Sequence, residues 1–296
     1  MIYADNAATT KMSDTAKRAF IQTLDSAWGN PSSLHSSGQT AKTVLEKARQ
    51  DISAILNCRT DEIYFTSGGS EADNQAIISA AEIGRKHGKR HIISTAFEHH
   101  AVLHTLKKLE KEGFEITLLP VGDKGFVNVQ QLAGAIREDT ALVSIMYANN
   151  EIGTVQPIAE IGALCREKGV LFHTDAVQAA GHCEIDVQRE NIDMLSISAH
   201  KFKGPRGAGI LFAKKGIRLC NLIEGGAQER GRRAGTENTA AIVSMAAALK
   251  DACDNIPENE KKTTALRDRL IAGLSEIPHS RLNGGAPRLG NGQFLF

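Results

Sequence analysis

Between residues 62 and 213, short hydrophobic runs alternate with longer amphipathic stretches, and that alternation constrains the chain more than any other feature. The runs are Glu62–Thr66, His91–Ser94, Glu115–Leu119, Ala141–Met146, Val170–Asp175, Asp193–Ser198 and Ala208–Ala213. Strands separated by helical patterns build βαβ units and a mostly parallel sheet. Ala141-Leu-Val-Ser-Ile-Met146 is apolar at successive positions, as a strand covered on both faces must be. The expected fold class is therefore α/β, with seven mixed, mostly parallel strands flanked by helices, in a large domain over residues 11–255. Residues 1–10 and 256–296 are expected to form part of a smaller α+β domain. In it Ile256–Glu260 reads as a hinge and Lys261–Ile277 as an amphipathic helix with Leu266, Leu270 and Leu274 on one face. Gln293-Phe-Leu-Phe296 reads as a strand with no partner left in the sequence.

In open α/β sheets ligands bind beyond the carboxyl ends of the strands, and the polar groups of this sequence gather there. Thr66-Ser-Gly-Gly-Ser70 joins a strand to a helix, with glycines for a tight turn and Ser70 to cap the helix start. A helix N-terminus after such a turn suits a phosphate; taken alone, the segment fits an ordinary capped turn equally well. Asn150 follows the fourth strand, Asp175 ends the fifth, and Gln178 lies three residues on. The sixth strand runs into Ser198-Ala-His-Lys201 and a loop with Gly204, Pro205, Gly207 and Gly209 that cannot be helical. His99 opens a helix, where an imidazole can stack on a flat ring or relay a proton. His99 and His100 lack a third ligand at useful spacing, so no metal is expected.

One cofactor uses all of these groups. Pyridoxal phosphate needs N–H donors and hydroxyls for its phosphate, and Gly69, Ser70, Ser198 and His200 are candidates. Its ring nitrogen needs a carboxylate, which Asp175 supplies, because a neighbouring negative charge raises the nitrogen's pKa. Its phenolate oxygen needs a neutral donor, available in Gln178, and its aldehyde needs an amine, available in Lys201. The rivals fit less well. Gly68-Gly69 lacks the G-x-G-x-x-G spacing of a dinucleotide site, and neither a P-loop nor a G-x-S-x-G elbow occurs.

Thirty-five basic against 34 acidic residues give no sign of a nucleic-acid or membrane surface. No run of eighteen apolar residues occurs. Five cysteines, scattered and without CxxC spacing, point to a reducing compartment, so a cytoplasmic protein is expected. The loop Gly29–Gly38 and the Gly- and Arg-rich stretch Glu224–Asn238 have no periodicity. By composition the second reads as a flexible basic connector, although its Arg and Thr residues can reach a phosphate.

Taken together, the ordered segments resemble the cysteine desulfurases of the class V aminotransferase group. These segments are Asp5-Asn-Ala-Ala-Thr-Thr10, Asn30-Pro-Ser-Ser-Leu-His35, Thr66-Ser-Gly-Gly-Ser-Glu71, Glu98-His99, Asn149-Asn-Glu-Ile-Gly153, His173-Thr-Asp-Ala-Val-Gln178, Ser196–Gly209 and Glu229–Thr236. The resemblance implies the fold-type I architecture of pyridoxal-phosphate enzymes. It implies that Lys201 holds the cofactor covalently, that His99 stacks on its ring and assists proton transfer, and that Asp175 pairs with the ring nitrogen. Gln178 and Asn150 would face the ring substituents, while Gly69, Ser70, Ser198 and His200 would bind the phosphate. It further implies a homodimer in which Thr236 reaches the phosphate of the partner subunit. The reaction implied takes L-cysteine to L-alanine and passes sulfur, through an acceptor protein, to iron–sulfur clusters or thiolated tRNA. Gly69-Ser70 departs from the Ala-Thr of many relatives but keeps a hydroxyl. The resemblance also implies a persulfide-forming Cys beyond residue 296, which none of the five cysteines matches, so a C-terminally truncated homologue is expected. The alternatives are a class V aminotransferase or lyase acting on another amino acid, and an inactive remnant that dimerises.

Overall fold

The computed structural model describes residues 2–284. Helix α1 (Asp14–Ser26) starts at an N-cap, Ser13, whose hydroxyl accepts the Ala16 N–H at 3.1 Å. Helix α2 (Ser36–Ile55) begins inside the stretch expected to be loop, because His35 Nδ1 accepts the Gly38 N–H and closes the first turn. The alternating region follows as β1 (Ile63–Thr66), α3 (Gly69–Lys86), β2 (His91–Thr95), α4 (His100–Lys111), β3 (Glu115–Leu119), α5 (Val129–Ala135), β4 (Thr140–Ser144), α6 (Ile158–Lys168), β5 (Leu171–Asp175), β6 (Met194–Ser198) and β7 (Gly209–Ala213). The short turn α7 (Gln228–Gly231) and the helices α8 (Thr239–Asp254) and α9 (Ile256–Ser275) come last.

The seven strands form one sheet in the order β1-β7-β6-β5-β4-β2-β3. β7 runs antiparallel to both its neighbours, and the other pairs are parallel. Successive residues of a strand face opposite sides, so each strand feeds two cores. Leu142, Met194, Leu211 and Ala213 pack with Ala72, Ala76, Ile77, Val102 and Leu106 of α3 and α4. Val143, Phe172, Leu195, Ile197, Ile210 and Phe212 pack on the other face with Ala16, Leu45, Ile52, Met245 and Leu249 of α1, α2 and α8. Helices therefore cover both faces, and hydrophobic burial on each side holds the sheet.

Two expectations about connections need correcting. Ile256–Glu260 is not a hinge but the first turn of α9, where Pro257 is tolerated because the first-turn N–H groups have no helical acceptor. Glu224–Asn238 is not a solvated connector either. Glu229 is buried, and its carboxylate accepts from Arg49 Nη2 at 2.7 Å, Arg49 Nη1 at 3.0 Å and the Phe65 N–H at 2.9 Å. Arg230 lies over the Tyr64 ring at 4.3 Å and donates to the Ile63 carbonyl at 2.5 Å. Both residues have positive φ, 46° and 58°, a conformation that costs a non-glycine residue free energy unless its surroundings hold it.

On α9, Leu266, Leu270 and Leu274 remain 58%, 43% and 40% exposed, so the expected apolar face exists but carries little of the described core. The expected terminal strand lies outside the described residues. The proposed split into a large and a small domain rests on the sequence pattern alone. Among the described residues no helix is long and apolar enough to cross a membrane.

Candidate active site

Strand register explains why one end of the sheet is polar on its α3 face. His173 and Asp175 alternate on β5, Ser196 and Ser198 on β6, and Asp175 is paired with Ser196 in register. Those four side chains share the face against which α3 packs. The α3 N-terminus lies at the same end because the turn from β1 is tight. Gly68 has a φ of 153°, and a Cβ on Gly209, the first residue of β7, would fall 2.5 Å from the Gly68 Cα. Glycine at 209 lets the two backbones approach closely.

A cavity of about 560 Å³ opens at this edge. Gly69, Ser70, His99, Asn150, Asp175, Gln178, Ser198, His200 and Lys201 all line it, with Asp73 and the N-terminal residues Asp5, Ala7 and Ala8. Thr236 does not line it; it is exposed on the loop after α7. Residues 5–10 are stitched to the Lys201 segment. The Lys201 ammonium donates to the Ala7 carbonyl. Gln178 Nε2 donates to the same carbonyl at 3.1 Å, and Thr10 donates to the His200 carbonyl through N–H at 2.9 Å and Oγ1 at 2.7 Å. Residues 5–10 thus form one wall of the site.

One end of the cavity is built for an anion. α3 is 18 residues long, and its N-cap is Gly68 rather than Ser70, with no side chain capping it. The expectation that Ser70 caps the helix is corrected: it is the second helical residue. An uncapped helix start leaves N–H groups and the positive dipole end to a ligand, and Ser70, Ser198 and His200 surround it. Burial pushes His200 down from the ordinary imidazole pKa, helped by the positive charges of Lys201 and Arg206.

Buried carboxyls lie in and beside the cavity: Asp175 lines it, and Glu98 precedes His99. Asp175 accepts the Val177 N–H at 2.9 Å. Burial raises its pKa, against the opposing pull of that N–H, His99 and Lys201. Glu98 accepts from Thr95 Oγ1 at 2.7 Å and from the Met146 N–H at 2.9 Å, while its second oxygen has no partner among the described residues. Burial pushes Glu98 up to about 8. His173 does not balance these groups: burial pushes it down to about 3, and its ring nitrogens meet Ser144 and Ser196 hydroxyls at 2.9 and 3.0 Å. The site therefore favours a ligand that brings a cation to Asp175.

The amine is tuned in the complementary direction. Burial lowers the Lys201 pKa, and Asp175 and Asp5 oppose the shift only partly. A lowered pKa leaves more of the free amine that attacks a carbonyl. His99 is exposed and caps α4 through Nδ1, which accepts the Ala101 N–H at 3.1 Å.

The raised Glu98 pKa gives a pH-dependent prediction. From pH 4.5, its ordinary value, to about 8 the folded chain keeps a proton that the unfolded chain has released. Stability from this group is fully present below pH 4.5 and is lost as pH rises through about 8. Glu98→Gln mimics the protonated form and keeps the Thr95 and Met146 bonds. It is expected to be more stable than the parent at pH 8–9 by up to about 4 kcal/mol, with the difference vanishing towards pH 5. Thermal melts of the cofactor-free chain across that range check this; parallel curves for the two proteins contradict it.

Sequence reasoning missed Asp73 and the charge state of Glu98. For Asp73 a signal existed, since it is the one acidic residue on the buried α3 stripe of Gly69, Ala72, Ala76, Ile77 and Ala80. One oxygen each of Asp73 and Asp175 and a ring nitrogen of His99 lie within 4.8 Å of one another, a spacing that a metal ion also accepts. The neighbours of His99 at ligand distance thus come from distant segments and not from His100.

The sequence model of the family Aminotransferase class-V matches residues 2–293. This chain belongs to the class V aminotransferases. "Cysteine desulfurase IscS" of Clostridium botulinum (strain Hall) is 52% identical over 284 residues, covering 96% of this chain and 71% of the relative. The protein of the same description from Methanosarcina thermophila is 50% identical over 283 residues, covering 96% and 70%. A solved NifS-like protein superposes with a TM-score of 0.92 at 40% identity, covering 97% of this chain and 80% of its own. DndA from Streptomyces lividans gives 0.87 at 34% identity, covering 98% and 82%. The family depends on pyridoxal phosphate, and the residues of this class V chain fit that cofactor. The lining offers an uncapped helix start that suits a phosphate, a buried carboxyl that suits a cationic ring nitrogen, and a partly buried amine that suits an aldehyde.

Proposed function

We propose that this chain binds pyridoxal phosphate and acts on L-cysteine as a cysteine desulfurase, releasing L-alanine and transferring the sulfur. The observation that carries the reading is the shared cavity: residues from six separate segments, Asp5 to Lys201, line one volume of about 560 Å³ and bring a helix start, a buried carboxyl and an amine to it. The 52% identity to a cysteine desulfurase supports the choice of substrate.

When bound, the cofactor supplies a conjugated ring that takes up electron density from a bond to the substrate's α-carbon. The residues of this chain do the rest. Lys201 would hold the cofactor aldehyde, and its Nζ would carry protons during the reaction. Asp175 keeps the ring nitrogen protonated. The α3 N-terminus with Ser70, Ser198 and His200 fixes the phosphate. His99, at the cavity mouth, stacks on the ring and relays protons, and Gln178 and Asn150 face the ring substituents. Thr236, outside this cavity, is assigned to the phosphate of a second copy in a homodimer, where the buried Glu229–Arg49 pair holds its loop.

No cysteine of the chain is assigned to accept the sulfur. None of the five lines the cavity, and burial pushes Cys58 and Cys165 up to about 12 and Cys253 up to about 11, far from thiolate character. The reading places the protein in the cytoplasm with a sulfur-acceptor protein as partner.

The test is to load the chain with pyridoxal phosphate and supply L-cysteine with a reducing thiol. Equal amounts of alanine, sulfide and disulfide are expected: one added thiol takes the sulfur from cysteine as a persulfide, leaving alanine, and a second reduces it to sulfide with formation of the disulfide. Amino-group exchange between alanine and a keto acid, with no sulfide, would instead identify an aminotransferase, and a chain that takes up no cofactor would refute both.

A further inference from the structure

The proposed function uses Asp175 and leaves a second carboxyl behind it without a task. Asp73 is the fifth residue of α3, is 1% exposed, and lines the cavity. Neither of its oxygens has a hydrogen-bond partner among the described residues. An ionised carboxylate buried without a partner is strongly disfavoured, so such a group holds its proton. No element packed around Asp73 supplies a balancing charge among the described residues. β5 offers His173 at 3.6 Å, which burial keeps neutral, and Asp175. β6 offers the Ser196 hydroxyl, the segment before α4 offers Glu98, and the α4 N-cap is His99. No lysine or arginine pairs with Asp73 among the described residues. Burial first, and then the charge of Asp175, raises the Asp73 pKa well above the ordinary carboxyl range.

One oxygen of Asp73 and one of Asp175 lie within 4.8 Å of each other. We propose that Asp73 is a positioning residue for Asp175: a neutral carboxylic acid whose O–H donates to the Asp175 carboxylate, so that the charge of the cluster resides on the carboxyl that meets the ring nitrogen. With the partly buried Lys201 the one amine lining the cavity among the described residues, Asp73, Glu98 and Asp175 do not all ionise, and a donor behind Asp175 selects which one does. The proposal deepens the cofactor reading above and rests on it for its purpose.

The experiment follows the aspartate carboxyl carbons by NMR in the full cofactor-free chain, labelled with 13C at the side-chain carboxyl. Asp73→Asn and Asp73→Leu assign the Asp73 signal by its loss. The Asp73 signal is expected to stay at the protonated position through pH 7. Hydrogen bonding to a charged form lowers its pKa, so Asp73→Leu is expected to raise the Asp175 midpoint by about one pH unit or more, while Asp73→Asn, which keeps a donor, leaves it near the parent. An ionised Asp73 signal at neutral pH overturns the proposal. A fall of the Asp175 midpoint in both variants, as when a like charge is removed, overturns it too, and so does no change in either. Where the leucine variant does not fold, Asp73→Ser, too short to reach, takes its place. The second arm loads the same proteins with pyridoxal phosphate carrying 15N in the ring. Asp73→Leu is expected to retain the cofactor about tenfold less well and Asp73→Asn to match the parent. If no variant and not the parent takes up cofactor, the functional reading falls while the carboxyl titration still decides the role of Asp73.

Discussion

Replacing Lys201 by alanine is expected to abolish covalent attachment of pyridoxal phosphate and to reduce alanine formation from L-cysteine by at least about a thousandfold, the scale on which loss of a covalent nucleophile acts. After borohydride treatment the parent's peptide carrying residue 201 should gain the mass of the reduced cofactor, and no peptide of the variant should. The expectation rests on placement. Lys201 follows β6 directly, its backbone is held by the turn Ala199–Lys201, and its ammonium meets the Ala7 carbonyl on the wall opposite. Lys203, two residues on, has a positive φ of 64° and is fixed through its backbone, with its N–H donating to Thr10 Oγ1 at 2.8 Å. It does not line the cavity. Lys203→Ala is expected to retain the labelled peptide, and labelling of residue 203 in the parent would contradict the assignment.

The second large effect lies far from Lys201. Glu229→Ala removes the partner of Arg49, whose side chain is 3% exposed, and leaves that guanidinium and the Phe65 N–H without their acceptor. Breaking a buried pair from one side costs about 3–5 kcal/mol. For a chain of this size that is a fall in melting temperature on the order of 10 °C. The Ile63 carbonyl still accepts from Arg49 at 2.7 Å, which keeps the loss from being larger. Thermal melts of parent and variant measure it, and a fall below about 2 °C would show that the pair does not hold the fold. The variant should also free positions 229 and 230 from their positive φ angles, and limited proteolysis near residue 229 should then speed up.

The sequence reveals this fold clearly because both of its periodic signals are strong. Strands such as Gly209–Ala213 are apolar on both faces, and Asp175 and Ser198 mark strand ends by a switch to polar side chains. Charged groups whose partners lie far along the chain are hidden. Glu229 reads as one more charge in a basic loop until the fold sets it against Arg49, 180 residues away. Asp73 sits on a helical face whose neighbours belong to β5 and β6, so its burial depends on packing that no local pattern states. The reading of residues 256–260 as a hinge failed for a different reason. Proline and polar residues there suit the first turn of a helix as well as a break, and only packing distinguishes the two. Thr236 was assigned by resemblance to a second copy, and its position outside the cavity leaves that assignment to a dimer measurement.

The antiparallel β7 has a consequence for the order in which the molecule is made. It closes the sheet between β1, which the ribosome completes at Thr66, and β6, and Gly209 must arrive before the turn at Gly68 finds its neighbour. Contacts between residues so distant in sequence are slow to form, since a long loop must close before they repay its entropy. The amino-terminal wall at Ala7 waits on Lys201 in the same way. The cavity thus cannot close on its amino-terminal wall until Lys201 has been made, although the first residues of that wall leave the ribosome before any strand.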